Sequence, residues 1–120
     1  MRLDHDFVRI LLAKIQEVQR DGGYHDLYIE DRPDRLMSRY IMLLDEAGLI
    51  DAVDYSTQDL MCWRAKWITE AGETFLRAAS NEKCWEKAKK IIRKSHHKFT
   101  VDALKQALPR ARKAIRRRRR

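Results

Sequence analysis

The sequence predicts an α+β fold, a winged helix-turn-helix with a C-terminal helical extension, and three observations predict it. In Leu43-Leu44-Asp45-Glu46-Ala47-Gly48-Leu49-Ile50 an apolar helix stops at a glycine. Glycine closes a helix in the left-handed conformation without a Cβ clash, and here a strand starts at once. In Ile68-Thr69-Glu70-Ala71-Gly72 the Thr69 hydroxyl is positioned to cap the next helix. Gly72, in the first turn, lets that helix lie close to whatever it packs on. Between the two segments there is room for one β-hairpin.

The elements follow in order. Asp4 is a good N-cap for a first helix running to about Arg20, with Val8, Leu11, Leu12, Ile15 and Val18 recurring at helical spacing as its buried stripe. Asp21-Gly22-Gly23 ends it, and residues 24–30 alternate enough for a short strand with Leu27 and Ile29 on one face. Pro33 or Asp34 suits the first turn of a helix over 34–47 with Leu36, Tyr40, Leu43 and Leu44 inward. The hairpin pairs Leu49 to Tyr55 with Met61 to Ile68, and period-two alternation sets Trp63, Ala65 and Trp67 on one face against the core, with Arg64 and Lys66 on the other. Helices over 70–79 and 82–94 come next, the second capped by Ser80 or Asn81 and carrying Cys84, Trp85, Ala88, Ile91 and Ile92 on its apolar side. Thr100 caps the last helix, and Pro109 is placed to kink it.

These elements divide the chain into a winged-helix domain over 1–80, a basic helical extension over 81–115 and a disordered poly-Arg tail over 116–120. The charge follows the same division. The net charge of +8 conceals 10 Lys/Arg against 15 Asp/Glu in residues 1–79 and 16 against 3 in residues 80–120. The basicity that invites a polyanion is therefore C-terminal, and the body is acidic. Cys62 and Cys84 lack paired-ligand spacing and fit a reducing cytoplasm. The apolar run Ile10-Leu11-Leu12-Ala13 is far too short to span a bilayer, and Asp4 and Asp6 stand where a signal peptide wants positive charge, so no membrane role is expected.

No catalytic constellation is present: there is no Gly-rich phosphate loop, nucleophile elbow or His-Glu helix motif, so neither an enzyme nor a cofactor is expected. His5, His25, His96 and His97 are scattered, and no metal site is predicted from them. Binding residues are easier to nominate. In a helix-turn-helix the 34–47 helix takes the recognition position, and Arg35, Ser38 and Arg39 face outward near its N-terminal end, where such a helix meets base edges. Equally, the two arginines serve as solvated partners of Asp31, Asp34 and Glu46. Arg64 and Lys66 are placed to track a phosphate backbone from the wing. Lys105, Arg110, Arg112 and Lys113 extend the charge of Arg116, Arg117, Arg118, Arg119 and Arg120 along the last helix. The five terminal arginines alone would add a salt slope of roughly four to five if all met duplex phosphates. Val101, Leu104, Leu108 and Ala111 follow a three-four spacing that predicts one seam of a helical hairpin or a homodimer.

Several blocks together carry a resemblance: residues 1–12, Tyr40-x-x-x-Leu44-x-x-x-Gly48-Leu49-Ile50-x-Ala52, Cys62-Trp63, Ile68-Thr69-x-x-Gly72-x-x-Phe75-Leu76-x-Ala78-Ala79 and Trp85-x-Lys87-Ala88-Lys89. Up to about residue 108 the chain resembles a family of bacterial and prophage-borne winged-helix proteins of unknown function. It departs from that pattern at Glu73, where such relatives tend to have His, and at Arg39-Tyr40, where a Tyr-His pair is common. The resemblance implies a phage or mobile-element setting, in which small winged helices act as repressors or bind host machinery. The expected function is a DNA-binding transcriptional regulator. The alternative is a non-enzymatic interaction module, an anti-defence or adaptor factor, whose acidic body binds a host protein.

Overall fold

Asp4 starts the first helix by accepting the Phe7 backbone N–H at 3.1 Å, which satisfies one of the donors that a helix leaves free at its N-terminus. The structure, a computed structural model, describes residues 3–20, 34–95 and 100–118. They form α1 (His5–Arg20), α2 (Asp34–Glu46), β1 (Ile50–Asp54), β2 (Trp63–Ile68), α3 (Glu70–Ala79), α4 (Glu82–Lys94) and α5 (Val101–Arg118). The architecture is α+β: five helices and one antiparallel two-stranded sheet among the described residues. The strand expected over 24–30 lies outside them.

The two glycine signals take the conformations their positions require. Gly48 has φ +77°. Its N–H bonds the Asp45 carbonyl and the Leu49 N–H bonds the Leu44 carbonyl, both at 3.0 Å, the paired pattern that closes a helix and sends the chain directly into a strand. Thr69 caps α3, its Oγ1 accepting the Gly72 N–H at 3.1 Å while its hydroxyl donates to the Gly48 carbonyl at 2.7 Å. A Cβ on Gly72 would lie 1.9 Å from the Leu49 carbonyl oxygen, so the junction between α2 and β1 sits directly against α3.

One hydrophobic core runs through all seven elements. Phe7, Leu11 and Leu12 of α1, Tyr40 and Leu44 of α2, Ile50 and Ile68 of the hairpin and Phe75 of α3 join Trp85 of α4 and Leu104 and Leu108 of α5 in a single buried cluster. The Tyr40 ring meets Phe7 edge-on at 4.7 Å, and its hydroxyl accepts the Asp4 N–H at 2.8 Å. Buried residues of α4 and α5 belong to the same cluster as those of the preceding elements. Asn81, the second of the two candidate caps, starts α4 by accepting the Cys84 N–H at 3.0 Å.

Of the two alternatives for the apolar seam of α5, the packing within one chain fits the helical hairpin: Val101, Leu104, Leu108 and Ala111 are all buried there, with α5 lying against α4. A three-four stripe specifies that a helix has a partner without saying which one. α5 continues through Arg118, Pro109 included, so Arg116, Arg117 and Arg118 belong to the helix. Arg119 and Arg120 lie outside the described residues.

Candidate functional site

β-bulge geometry decides what the hairpin shows to solvent. Strict pairing holds for Asp54 with Trp63, Val53 with Arg64 and Ala52 with Ala65, but Asp51 pairs with Trp67, leaving Lys66 as an extra residue. An extra residue inverts the alternation beyond it. Ile68 is consequently buried and Trp67 is 43% exposed, so the expectation that Trp67 covers the core is overturned, while Trp63 stays half-buried.

The outer hairpin then gathers two cation–aromatic pairs. The Lys66 ammonium lies 4.4 Å from the Trp67 ring centre, and the Arg64 guanidinium 5.6 Å from that of Tyr55, which is 53% exposed. The neighbouring acids are tied into local structure. Asp51 accepts the Trp67 indole N–H, Asp54 accepts the Ser56 backbone N–H at 2.8 Å, and Asp45 of α2 accepts the Ala52 N–H at 3.0 Å. The Asp54 hydrogen bonds from Ser56 hold its carboxyl below the ordinary aspartate range. Tyr55 and Trp67 were missed as surface groups because composition and period two both argue for burial, and no local residue announces the bulge.

On α2 the nominated residues separate. Arg35 and Arg39 are exposed. Ser38 is only 7% exposed and its hydroxyl accepts the Trp63 N–H at 3.1 Å, so it anchors the helix to β2. The inward face is made by Met37, Tyr40, Ile41 and Leu44, with Leu36 and Leu43 at its edges. This rotation carries Ser38 under the sheet and leaves the two arginines outside.

The cations of α5 divide between two faces. Lys105, Arg112, Lys113 and Arg116 come together along a groove of about 800 Å³ between α3 and α5. Its floor is Ala71, Phe75, Ala78, Leu108 and Pro109, and Glu70 and Thr74 stand on the α3 side. Arg110 faces away, toward a smaller cleft beside α4. Lys105 also supports the fold, because its ammonium donates to the Ala47 carbonyl at 2.8 Å, where a cation complements the C-terminal end of α2. Arg117 is exposed on the last turns. The groove was invisible in the sequence because its α3 wall is built from residues some thirty positions away from its basic wall.

Among the described residues no group of three His, Cys, Asp or Glu side chains is arranged to hold a metal, and no helix is long and apolar enough to cross a membrane. Cys62 is half-buried and Cys84 buried, both as free thiols. Burial pushes the Cys84 thiol pKa up, against a smaller opposing effect of Arg112.

Comparison with known proteins adds kinship. Residues 2–98 match the model of a family described as "Hypothetical protein (DUF2513)". A protein of Haemophilus influenzae, described as uncharacterized, is 28% identical over 107 residues, covering 88% of this chain and 91% of its own length. No solved structure matches the chain.

Proposed function

The chain belongs to the DUF2513 family, and from that premise we propose that it is a non-enzymatic DNA-binding protein of winged-helix type, a transcriptional regulator of a phage or mobile element acting in the cytoplasm. The observation that carries this reading is the outer hairpin, where Arg64 and Lys66 project beside the exposed rings of Tyr55 and Trp67. A cation beside an aromatic face suits a wing: the charge meets phosphate while the ring packs on sugar or base. Arg35 and Arg39, exposed on the first turns of the helix that packs beneath this hairpin, supply the base-reading groups. Arg110 and Arg117 add sequence-independent attraction.

The acidic balance of residues 1–79 favours a second reading, a protein-interaction module that binds a host protein through that body. Fluorescent genomic duplexes titrated over a salt series separate the two. The DNA reading expects sequence-selective binding that weakens with salt, a slope reduced by about one for each phosphate contact removed in Arg64→Ala and Lys66→Ala. No binding at moderate salt, or binding indifferent to both hairpin and α2 variants, would reject it and leave the protein-interaction reading.

A further inference from the structure

The groove between α3 and α5 is separate from the hairpin and α2 residues used above, and its chemistry differs from theirs. Its lining is mostly carbon: Ala71 and Ala78 of α3, two helical turns apart, face Leu108 and Pro109 of α5 over the edge of Phe75. Small residues on one wall keep the floor open, since larger side chains at Ala71 and Ala78 would fill the space they line. Along the α5 wall stand Arg112, Lys113 and Arg116, none of which forms an ion pair among the described residues. Lys105 adds a fourth positive charge at the end nearest α2, although its ammonium is engaged with Ala47. The opposing charge is Glu70 at the start of α3.

The positions of the cations choose among ligands. Lys105 and Arg116 are eleven residues apart on one helix, which at about 1.5 Å per residue spans about 16 Å. That extent is long for a compact metabolite and matches about three turns of a second helix laid beside α5. An apolar floor favours an amphipathic helix, which would cover it, over a bare polyanion such as a duplex backbone, which would not.

We propose that the α3–α5 groove is a docking site for an acidic amphipathic helix of a partner protein. An apolar stripe at three-four spacing would cover Ala71, Phe75, Ala78 and Leu108. Glutamate or aspartate flanking the stripe would meet Arg112, Lys113 and Arg116. A repressor with such a site would be open to control by a partner segment without any change in its DNA-contacting hairpin.

The test uses the full chain and a fluorescein-labelled synthetic helical peptide with leucine at i, i+4, i+7 and i+11 and glutamate on both flanks, read by anisotropy. Two control peptides accompany it: one with the same composition permuted so that no stripe exists, the other with lysine replacing every glutamate. Binding of the striped acidic peptide, at least about tenfold tighter than either control, is expected. Ala71→Trp, at an exposed position on α3, should abolish it by filling the groove. Arg112→Glu combined with Lys113→Glu should weaken it about tenfold or more. Equal binding of the permuted peptide, indifference to Ala71→Trp, or no binding of the striped peptide would each overturn the proposal. Displacement of the bound peptide by a duplex, lost in the Arg112→Glu and Lys113→Glu protein, would overturn it too by making the groove a phosphate site. Retention of duplex binding by Ala71→Trp separates this result from the fate of the DNA reading.

Discussion

The Trp85 indole N–H donates to Asp6 Oδ1 at 2.8 Å, joining two residues 79 positions apart and fastening the start of α1 to α4. Around this bond Lys89 lies 3.7 Å from the same oxygen, and the Arg9 guanidinium sits 5.0 Å from the Trp85 ring centre. Arg9 also reaches Glu82 Oε1 at 2.8 Å and the Ala79 carbonyl at 3.2 Å. This polar cluster adds to the apolar packing that holds α4 against α1.

Asp6→Ala should therefore cost about 1 kcal/mol in urea unfolding, below the usual range for a charged hydrogen bond because the carboxylate is exposed and screened. The indole hydrogen bond, followed by Lys89 and Arg9, lowers the Asp6 pKa against the opposing effect of burial. A group with a depressed folded pKa contributes stability above its unfolded value and loses it as pH falls through the folded one. The difference between wild type and Asp6→Ala should thus hold at pH 7 and shrink below about pH 4. A constant difference down to about pH 3 would remove this role.

His5 provides an acid-side effect of the same sign by a different cause. Burial first, and Lys89 second, lower its pKa against the opposing pull of Asp6 and Asp4. The fold favours the neutral imidazole, so its contribution is complete above the unfolded value near 6.5 and declines as pH falls below it. His5→Gln should flatten the stability profile between about pH 6.5 and about pH 5. Persistence of the wild-type slope in that variant would assign it to other groups.

Gly72→Ala and Gly48→Ala should differ sharply although each adds one methyl group. At Gly72 the new carbon would fall 1.9 Å from the Leu49 carbonyl oxygen and 2.7 Å from the Ile68 side chain, so backbone must move and the variant should lose its cooperative thermal transition. At Gly48 the nearest neighbour is the flexible end of Lys105 at 3.8 Å, and the cost is the left-handed backbone, about 1–2 kcal/mol. Equal losses by circular dichroism melting would contradict the close approach of α3 to Leu49.

These two glycines also mark what was legible in the sequence. Helix ends, caps and the hairpin were readable because Gly48, Thr69, Asn81 and Thr100 act through neighbours three or four residues away. What a helix packs on is set by residues far along the chain, and there the sequence left the choice open: the α5 stripe fitted a hairpin or a second copy equally, and in the fold it faces its own core. The hairpin surface was misjudged because one unpaired residue at Lys66 inverts every later side chain. Arg64 and Lys66, nominated for their charge and their shared strand face, are both exposed. The groove, whose two walls come from helices distant in sequence, had no local signal at all.

Cysteine labelling provides a local check on the α4–α5 contact. Cys84 is buried, its thiol lies 3.8 Å from the Leu108 carbonyl as a weak donor, and burial raises its pKa, which keeps the reactive thiolate scarce. Native protein treated with iodoacetamide should take one label, at Cys62, and a second only in denaturant. Rapid double labelling in the native state would mean that α5 opens away from α4.

Leu104 distinguishes a helix that completes its own core from one that waits for a second copy. Its side chain has no solvent exposure within the single chain, and Leu108 and Ala111 on the same stripe are buried with it. Truncation to Leu104→Ala removes methyl groups from a close-packed interior and should cost about 2–5 kcal/mol. The loss should be the same at low and high protein concentration, because the contact it breaks is intramolecular. A homodimer seam would behave otherwise: its contribution would follow mass action, and both the wild-type melting temperature and the size of the mutational loss would rise with concentration. Leu104→Asp sharpens the comparison, since a carboxylate forced into this site has no partner and should prevent folding altogether. A folded, monomeric Leu104→Asp protein beside a dimeric wild type in light scattering would restore the seam that the structure assigns to the core.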